Sequence, residues 1–399
     1  MEITRGQNRL IKPAIEDGLS NQMTVLLSTW DLMVPKRHVP VIYAYELPDG
    51  ASTDQPQLVS KLLEDGLAKA LVEYKEYAGR MSKDANGSPV FALNGQGAAW
   101  FDAEARVALR DLMPFPPGDD IFQLVPPHRE AEEFLLVQFT RFTCGGFTLG
   151  IAQDHQVTDG EGAFMFMDAW FSAVRGQRIH SPLHDRSALM ARDPPQPKFG
   201  KGGRPRTAMK DLEEEGAYFT TFESLAGHLW RCVARARGLN GEMGCKTSVA
   251  VNARRILGKK LPDNYNGNAT IAAFAESGVG DLTEKPLFYA AGIMREAIKS
   301  VDEEYIFSSL DCMALERKNQ TGIPDHWLPN PSLYFTSWVN LPLYKTDFGW
   351  GTPLFVGPPL APPNVLVLIP SHTQDGSIDA VATVSAPVME KLESYAFEI

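Results

Sequence analysis

The stretch "IAQDHQVTDGEGAFMF", Ile151–Phe166, sets a polar cluster, Asp154 to Glu161, between two apolar runs. The residues leading into it, "FTLGIAQD", read as a strand, and "EGAFMFMDAWFSAVRG" reads as an apolar helix. His155 therefore stands on a strand-to-helix turn, where a rigid scaffold presents loop residues. Imidazole titrates near neutrality and suits a general base. A lone histidine at such a turn is more commonly a buried residue bonded to backbone. The spacing shifts that balance, because Asp159 follows four residues on, beside Gly160. Asp159 either orients the imidazole, as a triad carboxylate does, or turns away to pair with an arginine and fix the loop. Gly160 is expected to take a backbone conformation closed to other residues. Without a GxSxG elbow or a cysteine in the motif, a covalent triad lacks its nucleophile. A base without an enzyme nucleophile implies direct attack by the substrate's own hydroxyl or amine.

Working outward, "VPVIYAYEL" is rich in β-branched and aromatic residues and predicts a strand, and Gln57–Met81 carries leucines at helical spacing. "FLLVQFTRFTCGGFTLGIAQDH" predicts two strands joined by a hairpin at "CGG". His184–Gly216 is dense in proline, glycine and charge and reads as an exposed linker. Beyond it, helices and strands alternate again through "FESLAGHLWRCVARARGL", "KTSVAVNAR", "SLYFTSWVNL" and "NVLVLIPSH". The 399-residue length suits two domains, each a mixed sheet with helices packed on it.

The totals exclude some classes. A formal net charge of −11 argues against a nucleic-acid partner, which needs clustered cations. Cys144, Cys232, Cys245 and Cys312 form no CxxC or metal-ligand spacing and are expected as reduced thiols; no HExxH-type pattern points to a metal. The charged N-terminus lacks an apolar leader, and no stretch approaches the length of a membrane span, so a soluble cytoplasmic protein is expected.

A second motif, "DFGWG", Asp347–Gly351, stands near the end of the chain. The kinase-like "DFG" has none of the companion kinase motifs. Together, His155 to Gly160 as HxxxDG and Asp347 to Gly351 as DFGWG make the chain resemble the plant BAHD family of acyl-CoA-dependent acyltransferases. The pair is more specific than either motif alone. "STWDLMVPKRHVPVIYAYEL", "VEYKEYAGRM" and "VNARRILGKKLPDNYNGNA" extend the resemblance over nearly the whole chain.

That resemblance implies an α/β fold of two similar mixed-sheet domains, chloramphenicol acetyltransferase-like, with a solvent channel between them. The halves would be residues 1–183 and 217–399, joined by a crossover at 184–216 that is short for the family. It implies a monomer with acyl-CoA as co-substrate, no bound cofactor and small-molecule partners. His155 would deprotonate the acceptor, which attacks the thioester directly. Trp350 either lends its indole N–H to the oxyanion or packs as a plain aromatic. Asp159 and Asp347, with Gly160, Gly349 and Gly351, are expected as structural members of the two motifs, Arg254 being the partner of Asp159. Thr220, Thr221, Arg254, Arg255, Lys259 and Lys260 are candidates for the CoA phosphates.

For the acceptor, the resemblance divides. A subgroup acting on shikimate or quinate carries serine in "TPSVYFY" and arginine in "SWxRLP", where this chain has Val41 and Asn340, though Tyr43 is retained. A second subgroup, acylating amines such as agmatine, putrescine, tyramine or tryptamine, resembles "VIYAYELP", "LPDNYNGN" and "VLIPSHTQDGSIDA" closely. Tyr43, Asp154, Glu161 and Asn340 are the acceptor candidates, with Asp154 or Glu161 holding a protonated amine. The reading taken is a hydroxycinnamoyltransferase that forms phenolamides, with a hydroxyl acceptor as the alternative. A relative that binds CoA esters without turnover has no use for the base.

Overall fold

The computed structural model describes residues 1–14, 23–47, 55–199, 218–318 and 333–398. Strands β1 (Ile3–Arg5), β2 (Arg9–Ile11), β3 (Thr24–Leu26) and β4 (His38–Tyr45) precede helix α1 (Gln55–Glu73). Then come β5 (Arg80–Lys83), β6 (Pro89–Ala92), β7 (Ala98–Ala105), the short α2 (Asp119–Phe122), β8 (Leu135–Phe142), β9 (Phe147–Asp154) and α3 (Gly160–Val174). The second half runs α4 (Thr221–Ala236), β10 (Gly244–Asn252), α5 (Ala253–Leu257), β11 (Thr270–Gly278), α6 (Val279–Glu284), α7 (Leu287–Lys299) and α8 (Glu303–Lys318). It ends with β12 (Leu333–Ser337), β13 (Phe355–Gly357), β14 (Val365–Pro370), β15 (Ile378–Ala382) and α9 (Ala386–Ala396).

Two mixed sheets organise the chain, with a small third sheet of β3, β6 and β5 beside them. The first has the order β1-β7-β8-β9-β4-β13, with β2 also on β7. The second has the order β11-β10-β12-β14-β15. The expected hairpin is present: β8 and β9 pair antiparallel, and Gly145 turns between them at φ 86°. A positive φ there favours glycine, which has no Cβ to clash. Apolar residues of β4, β8 and β9 alternate, so Tyr45, Phe139, Phe147 and Ile151 join α1 and α3 in one core. A second core gathers α4, α7, α8 and the inner face of the second sheet, with Trp230, Tyr265, Phe335 and Leu366.

Packing does not follow the order of the chain. β13, from the second half, pairs with β4 of the first sheet, and Leu343, Phe348 and Val356 lie in the first core. Trp30 and Met33, from the first half, lie in the second core. The two halves thus exchange segments, which holds one against the other across the site.

The described part of the expected linker is not a solvated strap. His184 Nδ1 lies 2.8 Å from buried Glu76 Oε1, and Arg192 Nε donates to buried Asp311 at 2.7 Å. Arg186 is only 2 % exposed. Composition suggests exposure here, but these arginines are neutralised by buried carboxylates supplied from distant segments. Residues 200–216 of that expected crossover lie outside the described residues.

Candidate active site

β9 ends at Asp154, and the turn that follows holds His155 half-buried between the two halves. His155 N–H donates to Arg37 O at 2.8 Å. The β4–β9 register, which pairs His38 with Asp154, thereby continues one residue further and places Arg37 directly opposite His155.

The imidazole is oriented from the second half. His155 Nδ1 lies 3.2 Å from Asn268 Oδ1. The Asn268 carboxamide cannot turn over, because its Nδ2 donates to Asp31 Oδ1 at 2.9 Å, to His155 O at 2.9 Å and to Gln156 O at 3.2 Å. With three acceptors around the amide nitrogen, the amide oxygen must face the ring. Nδ1 therefore carries the proton, and Nε2 keeps its lone pair. Behind Asn268, fully buried Asp31 accepts from Ser28 N–H at 2.9 Å and meets Arg186 at 3.0 Å. Burial lowers the His155 pKa, and the nearby charge of Arg37 lowers it further, so the ring is neutral near pH 7.

Asp159 turns away from the ring and clamps the halves together. Its carboxylate accepts from Arg254 at 2.8 and 3.1 Å, from Ala269 N–H at 2.8 Å and from Thr270 Oγ1 at 3.1 Å. It also caps α3 by accepting from Gly162 N–H at 3.2 Å. Burial opposes the charged form, yet Arg254 and these donors keep its pKa below the usual carboxylate value. Arg254 also donates to Gly267 O at 2.8 Å, tying down the loop that carries Asn268. Of the two expected roles of Arg254, only this one fits: the guanidinium is buried on Asp159 and presents no face to a phosphate.

Gly160 differs from expectation. It is the first residue of α3 with no left-handed backbone, and a Cβ there would rest 3.4 Å from Leu341 Cδ1. The steric demand falls on Gly162, where a Cβ would lie 1.9 Å from Thr158 Oγ1.

The second motif is not beside His155. Asp347 Oδ1 accepts from Gly349 N–H at 2.7 Å and Gly351 N–H at 3.0 Å, closing the loop on itself. Its other oxygen faces Arg175, just past the end of α3, at 3.6 Å. Trp350 stacks on Phe348 at 5.7 Å and meets Phe147 edge-on at 5.9 Å. Phe147 opens β9, and His155 follows its far end, so about 26 Å of strand separates them. The indole of Trp350 cannot reach an oxyanion at His155, and the catalytic role expected for it gives way to aromatic packing. The two motifs instead bracket α3, about 22 Å long, one at each end.

Other candidates divide. Tyr43 is 2 % exposed, in the first core opposite Leu149, so it does not line an acceptor pocket. Asp154 is fully buried on the opposite face of the sheet from His155. Glu161 accepts a close hydrogen bond from Asn252. Asp154 is closed off by burial and Glu161 is engaged by Asn252, so neither acid is presented to a protonated amine. Asn340 is exposed, one residue from Leu341, which covers Gly160 near the site. Thr220 caps α4 in a capping box with Glu223, and Thr221 opens that helix at the surface. Arg255, Lys259 and Lys260 are exposed, with Lys260 paired to Glu303.

Asn268, Asp31, Arg186 and Arg37 were not singled out from the sequence. "NYNGN" offered a faint signal, since a run of asparagines around a glycine satisfies backbone and side chains together. All four cysteines are free. Among the described residues, no cluster of histidine, cysteine and acids could hold a metal, and no helix is long and apolar enough to cross a membrane.

Residues 1–215 and 206–398 match the sequence profile of the Transferase family. The chain is 30 % identical to shikimate O-hydroxycinnamoyltransferase of Nicotiana tabacum, over 100 % of both chains. It is 30 % identical to agmatine hydroxycinnamoyltransferase 1 of Oryza sativa subsp. japonica, over 99 % of this chain and 98 % of the relative. It is 31 % identical to a hydroxycinnamoyl-CoA:5-hydroxyanthranilate N-hydroxycinnamoyltransferase of Avena sativa, over 100 % of both. In structure it is similar to vinorine synthase, with a TM-score of 0.77 at 20 % identity, covering 98 % of this chain and 96 % of that one. It is also similar to TRI101 of F. sporotrichioides complexed with coenzyme A and T-2, with a TM-score of 0.78 at 17 % identity, covering 94 % and 97 %. These neighbours share the two-domain α/β acyltransferase fold.

Proposed function

The chain belongs to the Transferase family, the acyl-CoA-dependent BAHD acyltransferases, and on that premise we propose that it transfers a hydroxycinnamoyl group to a small amine acceptor. The co-substrate is acyl-CoA. The observation that carries the reading is the orientation of His155: Asn268 occupies Nδ1 and leaves a neutral Nε2 lone pair where the halves meet.

In this mechanism the acceptor's N–H or O–H gives its proton to His155 Nε2 as its heteroatom attacks the thioester carbonyl. The C–N or C–O bond forms, and a tetrahedral oxyanion results. The C–S bond then breaks, and the imidazolium returns the proton to the departing CoA thiolate. The rate gain comes from holding both substrates against the base and from the base itself. Asp159 and Arg254 contribute by fixing the turn rather than by touching substrate.

Amide formation is supported by relatives named for agmatine and for 5-hydroxyanthranilate, and by the absence of an arginine at Asn340. A hydroxyl acceptor is the second reading, since a relative of equal identity is named for shikimate. The proposal includes a monomeric cytoplasmic enzyme whose partners are these small molecules. The test is CoA release from p-coumaroyl-CoA, followed with a thiol reagent, against agmatine, tyramine, 5-hydroxyanthranilate, shikimate and quinate. Turnover with shikimate and none with any amine would replace the amide reading. Full turnover in a folded His155→Ala protein would remove His155 as the base.

A further inference from the structure

Arg37 and His155 are direct cross-strand neighbours, joined by the His155 N–H to Arg37 O bond of 2.8 Å. Side chains so opposed start about 5 Å apart on the same face of a sheet. Lys36 and His38 point to the other face with Asp154, by the alternation of the strand. The Arg37 side chain is exposed and makes no ion pair among the described residues. Its charge is felt by both the His155 ring and half-buried Tyr334, which comes from β12 of the second sheet. By this register the Arg37 side chain leaves the same face of the sheet as His155. The other two arginines around the site are spent: Arg186 on Asp31 and Arg254 on Asp159.

An arginine without a carboxylate partner is a ready receptor for one. Beside the transient oxyanion and thiolate, which every acceptor produces alike, three ligand groups come near this enzyme under the reading above, on which this inference rests. CoA phosphates are separated from the reacting carbon by the whole pantetheine arm, so a cation adjacent to the base does not meet them. A hydroxycinnamoyl group carries no anion. The acceptor remains. We propose that Arg37 is the specificity-determining residue of the acceptor pocket, selecting a small molecule that bears a carboxylate beside its attacking amine or hydroxyl. It takes the place of the arginine absent at Asn340, from the opposite half of the protein. It also disfavours agmatine-type acceptors, because their protonated groups would face a fixed positive charge while Asp154 and Glu161 are out of reach.

The experiment compares acceptors in matched pairs with p-coumaroyl-CoA: 5-hydroxyanthranilate against 4-aminophenol, and shikimate against its methyl ester. The wild-type protein should favour the acid of at least one pair. Arg37→Ala should lower kcat/KM for that acid by about 10- to 100-fold, the worth of a charge-assisted hydrogen bond, against a few-fold for its neutral counterpart. Arg37→Lys should recover part of the loss. The apparent pKa of the base should rise in Arg37→Ala, since a positive neighbour has gone. Equal losses for acid and neutral acceptors would overturn the proposal. So would a rise in KM for p-coumaroyl-CoA alone, which would assign Arg37 to the donor, or a wild-type preference for agmatine. Absence of CoA release with every acceptor would sink acyl transfer itself. Calorimetric binding of both acids to wild-type and Arg37→Ala protein would then decide the anion site separately: equal affinities, or no binding to either protein, would remove it.

Discussion

Replacing Asn268 by alanine tests the link between the second half and the base. The variant loses the acceptor for His155 Nδ1 at 3.2 Å and three donated bonds, to Asp31, His155 O and Gln156 O. Asp31 is not stranded. It keeps Arg186 at 3.0 Å, Ser28 N–H at 2.9 Å and the backbone N–H of position 268 at 3.1 Å, which alanine retains. The stability cost is therefore about 2–4 kcal/mol, from one charged bond and three neutral ones, two of the four sharing a single amide N–H, rather than the larger penalty of an abandoned buried charge. The kinetic cost has a different origin. Without an acceptor at Nδ1, the neutral ring populates both tautomers and loses its fixed orientation. Positioned base catalysis is worth about 10²–10⁴-fold, so kcat should fall by about 10²-fold or more while KM for acyl-CoA barely moves. Steady-state kinetics on protein verified as folded gives the first readout. Nitrogen-15 shifts of the His155 ring give the second: proton on Nδ1 in the wild type, a mixture in the variant. A folded Asn268→Ala protein with wild-type kcat and an unchanged tautomer would refute the reasoning.

The pH dependence follows from the depressed His155 pKa. kcat/KM should rise through a pKa below the ordinary 6.5 and level above it, and a midpoint at or above 6.5 would contradict the site geometry. The same shift has a stability consequence: the unfolded chain takes the proton more readily, so stability present above about pH 6.5 is lost as pH falls through the folded value. Arg254→Met should destabilise by about 3–5 kcal/mol because it strands buried Asp159, and adding Asp159→Leu should recover part of the loss in chemical denaturation; full additivity of the two would argue against the clamp. Trp350→Phe should keep kcat, whereas Trp350→Ala should cost about 3–5 kcal/mol of stability through the cavity it leaves, and a specific kcat loss in a stable Trp350→Phe protein would restore a chemical role.

The hairpin, the long helices and the strand-turn-helix around His155 were legible because they rest on local patterns. Alternation builds β8 and β9, a glycine turns between them, and a helix follows immediately. HxxxDG and DFGWG were legible for the same reason, each closing its own turn through an aspartate that accepts nearby backbone N–H groups. The pairing of Asp159 with Arg254 was also within reach, carried by the family resemblance. What the motifs do relative to each other was not. Adjacent in significance, they lie at opposite ends of α3, because the DFGWG loop packs on Phe147 and Phe348 in the first core. A partner's distance along the chain says nothing of its distance in space. Asn268 orients a histidine 113 residues earlier, and Arg186 in an apparently solvated linker is among the most buried side chains. Burial also reversed the reading of the acids: Asp154 and Glu161 flank His155 in sequence, yet strand alternation turns one to the other face and a cross-half hydrogen bond occupies the other. Arg37 became visible only through register, since the residue that faces the base is set by which strand lies alongside β9. The sequence by itself determined the family, the candidate histidine and the turn that presents it. Tertiary structure decided which charges are spent on holding the halves together, because only packing assigns a buried charge its partner.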